Sequence, residues 1–286
     1  MNSKLHTKEL QVYQSNLCEH EFTYNVAILK QYGKHFKISQ LAMIRNAGVE
    51  FPHSPKNSVN ENKLANNICR ARSKVREYGF CNDWDYFMTQ TLRPNGNDRF
   101  DLKLFQRSFS QMIRDLRKKT GAEIRYLIVP ERHKNGAWHL HGLLSGTPPD
   151  LLECFTLDQH LPYYIRRKLL KGEEIYNCPI FAERFGYVTI EPLRDKDKAV
   201  SYITKYLTKD LAKSVSEMGA HMFYASKGLQ HARELERGAL NTPIPVDFAG
   251  EYCAITWFDG NDVDAAALRN LFYRPRESEE VKNNED

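Results

Sequence analysis

Two histidines one residue apart lie in the segment Trp138-His139-Leu140-His141-Gly142. The segment has the composition of a strand, and successive side chains of a strand point to opposite faces, so His139 and His141 share one face. Two neutral imidazoles on one face can chelate a divalent cation. The pattern alone fits equally well a half-buried strand with two polar histidines that point outward.

A third ligand would complete such a site, and Glu131 is the nearest acidic residue before the pair. The intervening Asn135-Gly136 predicts a hairpin. A strict two-residue turn would pair Glu131 with Leu140, on the wrong face, so we predict a three-residue loop or a bulge that shifts the register by one residue. Mixed nitrogen and oxygen ligation suits Mg²⁺ or Mn²⁺. His133 is a competing ligand, and a solvated carboxylate is the alternative for Glu131.

Two tyrosines four residues apart follow in a segment that we predict to be helical over residues 199–211. At about 100° per residue, Tyr202 and Tyr206 share a face away from the apolar stripe. Each is followed three residues later by a lysine, Lys205 and Lys209. A phenol, with a pKa of about 10, attacks better when an ammonium stabilises the phenolate or a metal polarises the phosphate. Packing against another element is the alternative for both rings.

The elements that must position these residues alternate between strands and helices. One clear hairpin, with helices between the other strands, predicts an α+β fold with an antiparallel sheet. The predicted strands are 84–92, 124–130, 137–144 and 186–192, with weaker ones at 221–226 and 252–258. The other predicted helices are 59–78, 100–119 and 151–170, and residues 36–47 also have near-helical spacing.

Composition and charge narrow the class of protein. The 286 residues are 41% hydrophobic with a mean hydropathy of −0.60, and no run approaches the roughly 18 apolar residues of a membrane helix. We expect no membrane partner and no secretory signal. Six scattered cysteines without a C-x-x-C pair argue against a zinc ribbon or disulfide framework and predict a reducing, cytoplasmic compartment.

A net charge of +5 fits a polyanionic partner, and three basic runs are candidates for phosphate contacts. Solvated helix faces are the alternative for each run. The predicted DNA-binding residues are Arg70, Arg72, Lys74, Arg166, Arg167 and Lys209, with Tyr86, Phe87, Tyr163 and Tyr164 available to stack on unpaired bases.

Together these motifs resemble the HUH endonuclease superfamily, specifically the rolling-circle replication initiators of small phages and plasmids. The resemblance covers roughly residues 68–230. It rests on Trp84-Asp85-Tyr86-Phe87-Met88-Thr89-Gln90-Thr91-Leu92, on Glu131 with His139-Leu140-His141-Gly142-Leu143, and on Tyr202-Ile203-Thr204-Lys205-Tyr206-Leu207-Thr208-Lys209.

The resemblance implies a five-stranded antiparallel sheet with flanking helices, an HUH endonuclease or ferredoxin-like fold. It implies that Glu131, His139 and His141 hold one Mg²⁺ or Mn²⁺ against the scissile phosphate. Tyr202 or Tyr206 would then attack phosphorus, leaving a 5′-phosphotyrosyl link and a free 3′-OH primer. The implied partners are single-stranded DNA at a replication origin and the replication helicase and polymerase of a bacterial host.

The expected organisation is an N-terminal segment of unknown role over residues 1–66, a nicking-joining domain over 67–260 and an acidic tail over 261–286. A transposase or plasmid relaxase of the same superfamily is the enzymatic alternative. The non-enzymatic alternative is a DNA-binding regulator in which residues 36–47 form part of a helix-turn-helix. Such a regulator would bind duplex DNA without a metal.

Overall fold

The computed structural model describes residues 24–42, 61–93, 99–249 and 253–273. Contacts divide the chain into two compact units, Ser54–His231 and the combination of Met1–His53 with Ala232–Asp286. Both units contain an antiparallel sheet, so the predicted α+β class is confirmed. None of the helices in the described part of the chain combines the length and the apolar character needed to cross a bilayer.

The described residues form twelve strands and seven α-helices, numbered in chain order. The strands are β1 (Tyr24–Tyr32), β2 (His35–Ala42), β3 (Tyr86–Thr91), β4 (Arg125–Arg132), β5 (Trp138–Ser145), β6 (Glu153–Cys154), β7 (Tyr176–Asn177), β8 (Val188–Pro192), β9 (Tyr224–Ala225), β10 (Arg233–Gly238), β11 (Phe248–Ala249) and β12 (Cys253–Asp259). The helices are α1 (Glu61–Cys81), α2 (Leu102–Thr120), α3 (Tyr163–Leu169), α4 (Pro179–Phe185), α5 (Lys196–Lys205), α6 (Lys209–Met218) and α7 (Ala265–Arg269).

The larger unit is built on a seven-stranded sheet in the order β6-β7-β8-β3-β5-β4-β9. Its apolar face is closed by α2, whose buried side chains recur every three or four residues. The Phe109 and Tyr126 rings meet at 5.1 Å, and Phe109 also contacts Phe181 of α4 at 5.6 Å. Helices α2 and α4 therefore cover the face of β4 that carries Tyr126, opposite to the face that carries Glu131.

The predicted helix over residues 199–211 is wrong as a single element. Helix α5 ends at Lys205, and α6 begins at Lys209. Thr208 has extended backbone angles, and its side chain accepts a hydrogen bond from the Leu211 amide at 3.2 Å. A threonine that caps a new helix competes with continuation of the old one, and this capping decides the break.

The predicted helix over residues 151–170 is also mostly wrong. Within it only α3 is an α-helix, and it begins directly after Pro162, because proline is excluded from a helix interior. The preceding residues instead turn into the short strand β6, which pairs with β7.

The smaller unit contains a five-stranded sheet in the order β10-β1-β2-β12-β11. The helical spacing over residues 36–47 is misleading, since residues 36–42 belong to β2, and residues 43–47 lie outside the described part. Phe36 and Ile38 alternate onto one face and pack with Leu29, while β1 and β12 both pair with β2. Pairing on both edges outweighs a weak local pattern.

The grouping of residues 232–260 also differs from the expected division. These residues supply β10, β11 and β12 and cluster with the N-terminal segment, whereas the sequence pattern grouped them with the nicking-joining domain. Most of the predicted acidic tail, from residue 274 onward, lies outside the described residues.

Candidate active site

The hairpin between β4 and β5 determines which acidic side chain accompanies the two histidines. Glu131 pairs directly with His139, one residue away from the register of a two-residue turn. Gly136 adopts a φ of 83°, and the His133 amide donates to the Ala137 carbonyl at 2.9 Å. This is a three-residue loop whose left-handed position suits glycine. The predicted one-residue shift is confirmed.

Three adjacent strands bring polar side chains to one face of the sheet, which we call the site face. Thr89 of β3 pairs with His141, and Thr91 pairs with His139. On the other side of β5, Glu131 lies beside His139. Residues directly opposite each other in neighbouring strands share a face, so these five side chains form one continuous polar patch.

His141 is held between a carboxylate and a hydroxyl. Its Nε2 lies 3.0 Å from Glu131 Oε2, and its Nδ1 lies 3.4 Å from Thr89 Oγ1. A neutral ring that donates from Nε2 to the carboxylate leaves Nδ1 to accept from the threonine. Burial lowers the pKa of His141, and the hydrogen bond and charge of Glu131 act in the opposite direction.

The two tyrosines meet His141 at the end of α5. The Tyr206 ring stacks on the His141 ring, with centroids 4.2 Å apart and planes 9° from parallel. Tyr202 approaches the same imidazole edge-on at 5.8 Å. The Tyr206 hydroxyl donates to the Tyr202 hydroxyl at 2.6 Å. Both phenols therefore lie beside the site face, as the four-residue spacing requires.

The two phenols differ in their surroundings. Tyr202 is 42% exposed, whereas Tyr206 is half-buried. Burial, the hydrogen bond to Tyr202 and the nearby charge of Glu131 raise the pKa of Tyr206. Lys205 Nζ lies 5.9 Å from the centroid of the Tyr202 ring. Lys209 lies beyond the helix break on α6, and within the described residues no cation–π contact joins it to Tyr206.

Helix α5 is positioned by close packing against α1. A Cβ added to Gly79 of α1 would lie 2.5 Å from Val200 Cγ2, so the helices approach closely only because this position is glycine. Arg72 of α1 donates from Nε to the Leu207 carbonyl at 3.1 Å and so anchors the turn just after Tyr206. The sequence pattern predicted Arg72 as a DNA contact, and the structure shows this positioning bond.

A second grouping of metal-ligating atoms overlaps the first. Ligand atoms of Glu131, His133 and His139 all lie within 4.8 Å of one another. Burial, followed by the neighbouring His133 and His141, lowers the pKa of His139 to about 4, so its ring is neutral at pH 7. One carboxylate with neutral imidazoles is a donor set that fits Mn²⁺ or Mg²⁺. This grouping contains His133, the competing ligand, and omits His141.

An open cavity of about 380 Å³ lies next to these ligands. Glu131 and Tyr206 line it from the sheet and from the end of α5, and Arg132 and Lys134 line it from the hairpin. The two cations add positive charge next to the carboxylate, which favours a phosphate in this space.

The remaining predicted DNA-binding residues fall on separate elements. Arg70 is exposed on α1, and Lys74 forms an ion pair with Glu77 at 2.7 Å. On α3, Arg166 donates to the Leu157 carbonyl at 2.9 Å, and Arg167 is exposed.

The sequence pattern missed the threonines of the site. Thr91 Oγ1 bonds to His139 Nε2, and Thr89 contacts His141. Alternation along residues 84–92 already placed both threonines on one face, but only the pairing of β3 with β5 brings that face to the histidines.

Residues 85–211 match a family model described as replication-associated protein ORF2. This segment spans less than half of the chain and contains the candidate ligands and both tyrosines. Comparison with curated proteins and with solved structures gives no match. The candidate site thus lies within a region similar to replication-associated proteins.

Proposed function

We propose that this protein initiates rolling-circle DNA replication by nicking and rejoining single-stranded DNA at an origin. The proposal rests on one observation, the convergence of Glu131, two histidines and two tyrosines beside one face of the sheet. Such a reaction needs a phenol and cation ligands within reach of one phosphate. The similarity to replication-associated proteins favours an initiator over a transposase or plasmid relaxase with the same chemistry.

The cation-binding residues in this proposal are Glu131 and His139, with His141 or His133 as a third ligand. When bound, Mg²⁺ or Mn²⁺ makes the scissile phosphorus more electrophilic. His139 suits this role because its ring is already neutral at pH 7 and needs no proton release to ligate.

Tyr202 is the better placed phenol for the first attack. It is exposed, accepts a hydrogen bond from Tyr206 and has the Lys205 ammonium nearby, and both neighbours favour negative charge on its oxygen. Tyr206 has a raised pKa and remains protonated as the donor. It is then available for a second transesterification.

In the first step, a bond forms between the Tyr202 oxygen and phosphorus, and the bond from phosphorus to the 3′ oxygen breaks. The phenolic proton leaves to solvent, and the 3′ oxygen takes up a proton. The products are a 5′-phosphotyrosyl link and a free 3′-OH, so the energy of the phosphodiester is retained for rejoining.

The direct test is to change both tyrosines to phenylalanine and to incubate the variant with Mn²⁺ and single-stranded origin DNA. We expect the covalent adduct to disappear on a denaturing gel while DNA binding is retained, because only two hydroxyls are lost. Tyr202→Phe alone should reduce the first adduct more than Tyr206→Phe. Tyr273→Phe, at an exposed tyrosine of the smaller unit, is the matched control. An adduct that persists in the double variant would place the nucleophile elsewhere.

The regulator alternative loses its main structural support. The described part of its proposed helix-turn-helix segment, residues 36–42, is a paired strand.

A further inference from the structure

The short helix α3 lies over the site face, at the margin formed by β8. Lys168 Nζ pairs with Glu191 Oε2 at 2.5 Å, and Glu191 of β8 is directly opposite Phe87 of β3. Phe87 precedes Thr89 by two residues, so it points to the same face as the threonines and histidines. Burial and the charge of Glu191 also raise the pKa of Tyr164, which places that ring near the same carboxylate.

A polar floor connects α3 with the candidate ligands. Thr189 of β8 pairs with Thr89, and Thr89 pairs with His141. Neighbouring strands lie about 4.8 Å apart, so β8 is roughly 10 Å from β5. A nucleic-acid strand with one phosphate at Glu131 and His139 therefore reaches α3 after crossing only β3 and β8.

The outer surface of α3 presents unusually open aromatic rings. Tyr163 is 78% exposed and Tyr164 is 50% exposed, while Ile165 is fully buried against Phe155 and Ile175. The helix is thus anchored by its apolar side. Exposed rings of this size beside a polar floor are typical of a binding surface.

The charge of α3 is complementary to a phosphate backbone. Residues 163–171 contain four basic residues and no acidic residue, namely Arg166, Arg167, Lys168 and Lys171. Lys168 already neutralises Glu191, and Glu173 pairs with Arg194 at 3.7 Å. Arg167 is exposed and has no partner among the described side chains.

We propose that α3 is a single-strand DNA platform continuous with the nicking site. An unpaired base stacks on Tyr163, and Arg167 neutralises a phosphate of the same strand. Aromatic rings beside cationic groups bind single strands in this way, because every base has a face for stacking. In a duplex the bases stack on one another, so the platform selects unpaired DNA. The inference rests on the proposed function for the identity of the substrate strand.

The test measures binding of a fluorescent oligo(dT) of about 16 nucleotides by anisotropy, in chelator so that no cleavage occurs. We expect Tyr163→Ala to weaken binding about tenfold and Tyr163→Phe to bind like the parent, because phenylalanine still stacks. Tyr273→Ala, at an exposed tyrosine of the other unit, is the control, and thermal melting checks folding. Unchanged binding by Tyr163→Ala, or equal losses for both Tyr163 variants, would overturn the proposal.

Salt dependence tests the phosphate contact separately. Arg167→Ala should reduce the slope of log K against log salt by about 0.7, the value for one phosphate on a single strand. Arg114→Ala removes the same charge from α2, which covers the opposite face, and should leave the slope unchanged. An equal effect of the two variants would contradict a local contact. Because no cleavage occurs, these results stay readable if the adduct experiment fails, and the adduct experiment stays readable if these fail.

Discussion

The two faces of the seven-stranded sheet differ in almost every physical respect. The face covered by α2 and α4 is closed by stacked phenylalanine rings that are fully buried, namely Phe105, Phe109, Phe181 and Phe185. The site face instead carries threonines, histidines and Glu131, and it opens to a cavity. One strand serves both faces, since Leu140 is fully buried between His139 and His141.

This difference separates stability from chemistry at single-residue resolution. Side chains that alternate along β5 contribute either to the apolar core or to the candidate site. Substitutions on one face should change the free energy of unfolding, and substitutions on the other should change ligand binding. Three experiments test this separation, beginning with the largest expected effect.

The combined change His139→Ala and His141→Ala should reduce Mn²⁺ affinity by more than about 100-fold, because even residues that only orient metal ligands typically contribute 10–100-fold. Equilibrium dialysis measures the affinity. His160→Ala, at an exposed histidine outside the candidate site, should bind Mn²⁺ like the parent. Full Mn²⁺ binding by the double variant would remove the cation from this site, and His133→Ala then tests the competing ligand.

The change Phe109→Ala on the opposite face should lower the free energy of unfolding by about 3–5 kcal/mol, through lost burial and the cavity that remains. Denaturant titration measures the loss. The Mn²⁺ affinity of the folded variant should equal that of the parent. A large change in metal affinity would show that the two faces are coupled, contrary to the separation.

The smallest effect concerns thiol reactivity. Cys178, the N-cap of α4, is fully buried, and burial raises its pKa to about 11. Because the thiolate is the reactive form, iodoacetamide at about pH 8 should modify exposed Cys154 rapidly and Cys178 only as the fold opens. Phe109→Ala should accelerate labelling of Cys178 and leave that of Cys154 unchanged, as mass spectrometry can measure. Equal rates at both cysteines would contradict the closed face.

Much of the site could be predicted from local pattern. Alternation placed His139 and His141 on one face, and the chemistry of the turn predicted the register that pairs Glu131 with His139. The spacing of Tyr202 and Tyr206 predicted two rings on one side of a helix. Each of these inferences depends on residues only a few positions apart, where backbone geometry fixes direction.

Longer-range relations escaped the sequence pattern. The helical spacing over residues 36–47 gave way to β2, because β12 pairs with it from more than 200 residues away. Thr89 and Thr91 became part of the site only through the pairing of β3 with β5.

The amino-acid sequence alone therefore determined which side chains can ligate a cation or attack phosphorus, and the local face on which each lies. The tertiary structure decided that His141 lies under Tyr206 and that α3 covers the far margin of the same face. Strand order and helix packing arise from contacts between distant segments. The free energy of those contacts depends on burial and hydrogen bonding in the whole fold, and no local window of sequence contains that information.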